Sequence, residues 1–220
     1  MELSSFFPIW DKLNSSQKLS LERNAVYKTV SKGAVIYGRN EHCYGVLLVA
    51  AGQLRAYIMS DEGREITLYR LFERDICLFT APCIMNSIQF EINITAEKNT
   101  GFWIISADTY KSIMEESAVL ANFTNELMAA RFTEVVWLIE QIMWKSLDKR
   151  VASFLLEESF IEETKDIKIT HEIIAKHLGC HREVITRILH HFQKEGLVKL
   201  TRGAVLIQDK KKLVALQNDK

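Results

Sequence analysis

The hydrophobic period of the sequence changes near Asp108, and this change divides the chain into a β-rich part and an α-rich part. Before it, short runs of β-branched and aromatic residues alternate with glycines, which predicts an antiparallel sandwich or barrel. After it, residues 108–145 contain neither glycine nor proline, which predicts helix. The expected strands are the runs 26–30, 34–38, 44–50, 54–59, 65–72, 90–96 and 101–106, and residues 1–20 are expected to be helical.

The helical part begins with Asp108 as the expected N-cap, and a break is expected near Glu116–Ala118. Beyond the break, two neighbouring apolar lines run along the helix. One line predicts a helix packed on its own domain, whereas two indicate a helix that is also covered by a second subunit. A central helix in a monomer is the alternative. The expected dimer interface consists of Leu120, Phe123, Leu127, Ala130, Glu134, Trp137 and Gln141.

The C-terminal residues follow the order helix, glycine turn, helix and hairpin. Helices are expected over 147–160, 169–178 and 182–194, with Thr170 as an N-cap and Gly179 as the turn. The segment 161–166 is expected to be a loop, and 197–208 a two-stranded wing. This order is typical of a winged helix-turn-helix, a DNA-binding motif.

Charge is distributed unevenly although the net charge is zero. Residues 165–220 hold twelve Lys and Arg against six Asp and Glu, a net charge of +6, so residues 1–164 carry −6. A basic C-terminal module favours a polyanionic partner, while an uneven solvated surface is the simpler explanation. No apolar run is long enough for a membrane span, the N-terminus lacks signal-peptide features, and four cysteines are too few for a disulfide scaffold. We therefore expect a cytoplasmic protein.

Three polar residues lie near the start of the second helix of the motif. Arg182, Glu183 and Arg187 face away from the expected packing residues of that helix. In the major groove, Arg donates two hydrogen bonds to guanine and Glu accepts one from cytosine. Glu183 and Arg187 are also spaced for a surface ion pair, which would contribute about 0.3–0.5 kcal/mol. Base contact and ion pairing are compatible.

The stretch ITHEIIAKHLGCHREVITRILHHFQKEGLVKL resembles the DNA-binding domain of the Crp/Fnr family, the bacterial regulators related to the cAMP receptor protein. The resemblance implies an α+β fold with an N-terminal antiparallel β-roll (a double-stranded β-helix, or cupin-like jelly roll), a long dimerisation helix and a winged helix-turn-helix, at 1–116, 117–145 and 146–220. It also implies a homodimer on a two-fold symmetric operator with TGTGA-type half-sites, and RNA polymerase as a partner.

The resemblance assigns roles to individual residues. Arg182, Glu183 and Arg187 match the positions that contact bases in the family. Thr170, His181 and Thr186 fall near positions that contact phosphate, although Ser or Thr is common where His181 stands. Lys199 and Arg202 of the wing are further candidates for phosphate contact.

The β-rich part lacks the cyclic-nucleotide cassette of the cAMP-binding members. The corresponding segment, residues 75–96, has no Gly-Glu pair, and Phe90–Glu91 occupies the position of the Arg-Ser pair. A phosphodiester needs a cation and hydrogen-bond donors, so cAMP is not expected to bind there. The effector is therefore unidentified, and the candidate effector-pocket residues are Cys77, Cys83, Phe90 and Glu91.

Other sensing chemistries depend on the cysteines and on His42. No cysteine precedes Cys43, so the iron–sulfur ligands of the oxygen-sensing Fnr members are absent. Haem bound through His42 or a cysteine, and a thiol switch between Cys77 and Cys83, stay open as alternatives, and buried free cysteine is the commonest role. No other cofactor or metal is expected.

Two other classes of function, a cupin-like enzyme and a protein-interaction module, fit the sequence less well. A cupin-like enzyme needs several histidines in the β-rich part, but five of the six histidines lie at positions 171, 177, 181, 190 and 191. A protein-interaction module would not need Arg182, Glu183 and Arg187 on one helix. We therefore expect a transcription regulator rather than an enzyme.

Overall fold

The structure is a computed structural model that describes residues 2–38, 44–81, 84 and 92–218. It divides into two compact units. The first comprises Met1–Ile58 and Leu68–Val135, and the second comprises Met59–Thr67 and Val136–Lys220. The functional division at 116/117 and 145/146 stays a prediction.

Two four-stranded antiparallel sheets account for the strands of the N-terminal part. One has the order β1-β8-β3-β6 and the other β2-β7-β4-β5. The central residues of β3, Val46–Ala50, are all buried because both faces of that strand are covered. The β-rich architecture is thus confirmed, while part of the predicted run 90–96 lies outside the described residues. The strands are β1 (Ala25–Val30), β2 (Val35–Tyr37), β3 (Val46–Ala51), β4 (Leu54–Met59), β5 (Glu65–Leu71), β6 (Ile76–Cys77), β7 (Asn93–Ala96) and β8 (Thr100–Ile105).

The helices of the first unit differ from the prediction at their starts. Residues 1–20 form two 3-10 turns, Leu3–Ser5 and Trp10–Lys12, and helix α1 begins only at Ser15 and ends at Asn24. Helix α1 starts there because Asn14 and Gln17 form a reciprocal capping box.

The next two helices, α2 (Ala107–Glu116) and α3 (Ala118–Trp144), are separated at Ser117, so the predicted break is confirmed. The prediction of Asp108 as N-cap is wrong. The Ser106 hydroxyl caps α2 by accepting a hydrogen bond from the Thr109 N–H.

Beyond the end of α3, the second unit contains four further helices and a three-stranded sheet among its described residues. Strand β9 pairs with β11, and β11 pairs with β10, all antiparallel. The predicted loop 161–166 is therefore wrong at its end, because Asp166 begins β9. The helix α7 was not predicted. The elements are α4 (Leu147–Ile161), β9 (Asp166–Ile167), α5 (His171–Leu178), α6 (Arg182–Lys194), β10 (Val198–Thr201), β11 (Ala204–Ile207) and α7 (Lys210–Asn218).

The segment Met59–Thr67 packs on the C-terminal half of α5 within the second unit. Ile66 forms an isolated antiparallel bridge with Leu178. The Thr67 hydroxyl lies 2.8 Å from Nδ1 of the buried His177, and Lys176 forms a 3.2 Å ion pair with Glu65. These contacts fix the end of α5 that precedes the turn. In the part of the chain that the structure describes, no helix has both the length and the apolar character to cross a membrane.

Candidate nucleic-acid interface

The turn between α5 and α6 depends on Gly179. Its backbone is left-handed, with φ of 72°, and its N–H donates to the Ala175 carbonyl at the end of α5. Glycine adopts this conformation without steric cost, which ends the helix and redirects the chain. Arg150 of α4 donates to the Leu178 carbonyl at 2.8 Å and so satisfies another carbonyl at this helix end.

The helix α6 has one buried face and one exposed face. Ile185, Leu189 and Phe192 are buried in the core of the second unit. Their spacing of four and three residues places them on one side of the helix, as predicted for a helix anchored by an apolar stripe. The burial of this side leaves the opposite side to solvent.

The three candidate base-contacting residues, Arg182, Glu183 and Arg187, are exposed on α6. Within the described part of the chain, their side chains form no ion pair and accept or donate no hydrogen bond, so the alternative of a surface ion pair between Glu183 and Arg187 is not realised. No side chain caps the N-terminus of α6 either. Donors and acceptors at the start of this helix are therefore available to a ligand.

The candidate phosphate-contacting residues differ in the hydrogen bonds that their side chains already form within the protein. Thr170 is exposed, and its hydroxyl oxygen accepts from the Ile173 N–H as the N-cap of α5, as predicted, so the hydroxyl hydrogen can still be donated. The Thr186 hydroxyl donates to the Arg182 carbonyl at 3.0 Å and lies 2.9 Å from His171 Nδ1. His181, Lys199 and Arg202 are exposed. Of the two candidate threonines, Thr186 is thus the one whose hydroxyl has two partners inside the protein.

His171 was not among the candidate residues. It is the first residue of α5, and its imidazole contacts Thr186 of α6. Burial lowers the pKa of His171, and the positive charges of His190 and Arg182 lower it further. The signal available in the sequence was its position next to Thr170, but its contact partner lies 15 residues away along the chain.

The expected dimer-interface residues occupy different environments along α3. Leu120 is fully buried in the core of its own unit, which removes it from the expected interface because it has no surface to offer. Phe123 and Leu127 pack in part against that core, and Ala130 is exposed. Glu134 accepts two hydrogen bonds from Arg131, at 2.8 and 2.9 Å.

The later part of α3 exposes more apolar surface than was predicted. Trp137 is 54% exposed, Gln141 is half-buried, and Phe132, which was not a candidate, is 71% exposed. The further exposed apolar residues of this part are Val136, Ile139, Ile142, Met143 and Trp144. A helix that is apolar on several sides normally has those sides covered.

Of the four candidate effector-pocket residues, only Cys77 belongs to the described part of the structure. It is a buried free thiol, 3.6 Å from the hydroxyl of the buried Tyr69. Burial raises the pKa of Cys77, which keeps it a thiol rather than a reactive thiolate at neutral pH. Cys83, Phe90 and Glu91, and also His42 and Cys43, lie outside the described residues.

Known proteins similar to this chain share both its fold and its C-terminal motif. The profile of the Crp-like helix-turn-helix domain matches residues 149–216. A crystal structure from Eubacterium rectale ATCC 33656, of a protein assigned to the Crp/Fnr family of transcriptional regulators, is 62% identical. It covers 98% of this chain and 100% of that chain, with a TM-score of 0.94.

More distant relatives cover most of both chains. The cyclic AMP receptor protein of Thermus thermophilus is 24% identical over 81% of this chain and 82% of its own length. The transcriptional activator protein Anr of Pseudomonas aeruginosa is 22% identical over 86% of this chain and 79% of its own length. The chain belongs to the Crp/Fnr family and is a transcription regulator with a helix-turn-helix DNA-binding domain.

Proposed function

We propose that this protein is a sequence-specific regulator that binds a two-fold symmetric operator as a homodimer, with α6 in the major groove. The observation that carries the proposal is the division of α6 into two faces. Ile185, Leu189 and Phe192 are buried, while Arg182, Glu183 and Arg187 are exposed and unpaired within the described residues. A buried apolar face holds the helix in place without using its polar side chains.

The polar face of α6 suits operators that contain G·C pairs. Arg182 and Arg187 each carry the donor geometry for guanine O6 and N7, and the Glu183 carboxylate accepts from cytosine N4. TGTGA-type half-sites offer such pairs, in agreement with the match between these residues and the family motif. Each correct bidentate contact discriminates against other bases by about 1–3 kcal/mol.

Phosphate contacts come from the residues around α6. Thr170 and His181 lie at the starts of the two helices, and Lys199 and Arg202 lie on the wing. All four are exposed. These contacts fix the position of the motif on the duplex without contributing sequence information, and they make binding sensitive to salt.

The homodimer is supported by the apolar surface of α3. Trp137, Met143 and Trp144 are among seven large apolar residues of this helix, between positions 132 and 144, that a single chain leaves exposed. A second copy would cover them, and its α6 would then face the adjacent half-site. Half-sites are expected about 34–36 Å apart, one helical turn of DNA, if the dimer follows the usual geometry of helix-turn-helix dimers.

Control by an effector completes the proposal. We infer that an unidentified effector other than a cyclic nucleotide acts on the β-rich part, and that RNA polymerase is a partner at the promoter. A sensor based on the Cys77 thiolate is disfavoured because burial raises the pKa of that thiol. Haem bound through His42 or a cysteine is an alternative, tested by an absorbance scan of the purified protein.

The DNA test is fluorescence anisotropy with a labelled duplex that carries a TGTGA palindrome, against a scrambled duplex at one stated salt concentration. We expect Arg187→Ala to weaken binding to the palindrome by about 10- to 100-fold and to change binding to the scrambled duplex much less, so that the preference for the palindrome narrows. Arg23→Ala, which removes an exposed arginine from α1, is the matched control and should bind as wild type. Equal binding of Arg187→Ala and wild type would refute the base-contact assignment.

The assembly test is sedimentation velocity of the full chain. Wild type is expected to sediment as a dimer, and Trp137→Glu as a monomer at the same concentration, since it adds a charge to the apolar surface of α3. Phe160→Glu is the control, because Phe160 is an equally apolar and even more exposed side chain on α4. A monomeric wild type, or a dimer lost only in Phe160→Glu, would overturn the α3 interface.

A further inference from the structure

The Thr186 hydroxyl links His171 to α6. Its oxygen lies 3.0 Å from the Arg182 carbonyl oxygen, to which it can donate, and 2.9 Å from His171 Nδ1. While the hydroxyl donates to the carbonyl, Nδ1 carries the proton that the hydroxyl oxygen accepts, and Nε2 is the atom that titrates. Because Thr186 engages Nδ1, Nε2 is the imidazole nitrogen that is left for a ligand.

Nε2 behaves oppositely toward an anion in the two charge states. In the neutral ring it carries a lone pair, which repels a phosphate oxygen. In the protonated ring it is a donor with a positive charge, which binds phosphate strongly. His171 is half-buried and follows Thr170, a proposed phosphate contact. Through Thr186 it also adjoins α6, which carries the proposed base contacts.

Two groups of α6, His190 and Arg182, act electrostatically on His171, and a positive charge on either of them disfavours protonation of its imidazole. Among the described residues, α4, α5 itself and the segment Met59–Thr67 place no carboxylate that acts on this imidazole. Burial and these two groups hold its pKa below the usual value of about 6.5, so the ring is mostly neutral in the free protein at neutral pH.

We propose that His171 is a phosphate-binding residue whose Nε2 takes up a proton from solvent when DNA binds, which makes DNA affinity depend on pH. This inference rests on the proposed function. In this inference His171, and not Thr186, makes the phosphate contact that the sequence predicted for Thr186. The role of Thr186 is to hold the imidazole of His171 in position. Arg182 and His190, which oppose protonation in the free protein, are themselves offset by the DNA backbone in the complex.

The direction of the pH dependence follows from the two states. Phosphate raises the pKa of His171 in the complex above the lowered value in the free protein. Affinity is then greatest below the pKa of the free protein, declines as pH rises through the interval between the two values, and levels off above the pKa of the complex. For each unit by which DNA binding raises the pKa of a His171 imidazole, the affinity for DNA changes by about tenfold across this pH interval.

The test measures binding of the full-length protein to two duplexes, the TGTGA palindrome and a random sequence, from about pH 5.5 to about pH 8 at constant ionic strength. A phosphate contact acts on both duplexes. Wild type is expected to lose affinity for both as pH rises. His171→Gln, whose amide can donate without titrating, is expected to bind both with a flatter pH profile.

A second histidine variant serves as the matched control. His191→Gln removes an exposed imidazole from α6, has no part in the proposed DNA contacts, and should retain the wild-type pH profile. Isothermal titration calorimetry in two buffers of different ionisation enthalpy counts the protons taken up. That count should fall in His171→Gln alone, a change that a merely structural role of His171 would not produce.

The outcomes separate this inference from the proposed function. Binding without pH dependence, or a pH profile that is lost in His191→Gln and kept in His171→Gln, overturns the role of His171 and leaves the regulator intact. Absence of binding to both duplexes at every pH overturns both. If His171→Gln fails to bind DNA, the pKa of His171 can be measured in the wild type by two-dimensional NMR of its imidazole resonances. The proposal requires this pKa to rise when the random duplex is added, and an unchanged pKa overturns it.

Discussion

The two helices of the DNA-binding motif are held in contrasting ways. Helix α5 is closed at both ends, by the Thr170 side chain at its start and by left-handed Gly179 at its finish, and Ile66 packs against that glycine. Helix α6 also ends before a left-handed glycine, Gly196, but no side chain caps its start, and its buried face anchors it. The difference indicates that the start of α5 is stabilised from within the protein, whereas the start of α6 leaves its polar groups available to a ligand.

The largest loss of stability is expected from a substitution on the buried face of α6. Leu189→Ala removes a fully buried side chain and should lower the free energy of unfolding of the second unit by about 2–5 kcal/mol, measured by urea denaturation. Arg187→Ala, two residues earlier on the exposed face, should change it by no more than about 0.5 kcal/mol. Similar losses in the two variants would mean that α6 does not have separate structural and binding faces.

A smaller loss of stability is expected when alanine replaces the left-handed glycine that follows α5 or α6. Gly179→Ala should cost about 1–2 kcal/mol of backbone strain, and more because its added Cβ would lie 3.2 Å from the Ile66 side chain. Gly196→Ala, at φ of 71° after α6, adds a Cβ with no neighbour within 4 Å, so it should cost the strain alone. Thermal unfolding of both variants checks this. If Gly196→Ala were the more damaging, the packing of Ile66 against the turn would be unimportant.

The smallest losses of stability are expected from substitutions at the starts of α5 and α6. Thr170→Ala removes the cap of α5 and should cost about 1 kcal/mol, while Thr170→Ser should restore most of it. His181→Ala, at the uncapped start of α6, should change stability by no more than about 0.5 kcal/mol. Both are measured by urea denaturation without DNA. A comparable loss in His181→Ala would show that the start of α6 is also stabilised from within the protein.

The DNA-binding motif was predictable because its signals are local. Gly179 and Gly196 bracket α6, and the predicted bounds 182–194 are those observed. Thr170 precedes an apolar run and caps it. By contrast, β9 is a strand of two residues, too short to show alternation, and it forms only because β11 lies beside it. Helix α7 begins with three consecutive lysines, and its single buried residue, Leu213, gives little periodicity.

Parts of the candidate site depend on contacts that no local pattern encodes. His171 meets Thr186 only after the turn folds α5 against α6. Leu120 belongs to the same apolar line as Trp137, yet one is buried in its own unit and the other is exposed. Periodicity identifies the side of a helix that is apolar, but whether its own domain or another molecule covers that side depends on tertiary packing.

Strand β9 has a mechanical consequence for recognition. It ends at Ile167, shortly before the Thr170 cap, and it is hydrogen-bonded to β11 of the wing, an attachment that the Ile207 N–H extends by donating to the Lys165 carbonyl at 2.9 Å. The hairpin with Lys199 and Arg202 therefore cannot swing independently of the start of α5. If Thr170 and the two wing residues contact phosphates as proposed, β9 fixes the distance between those contacts, and a duplex with a different groove width must deform to make both.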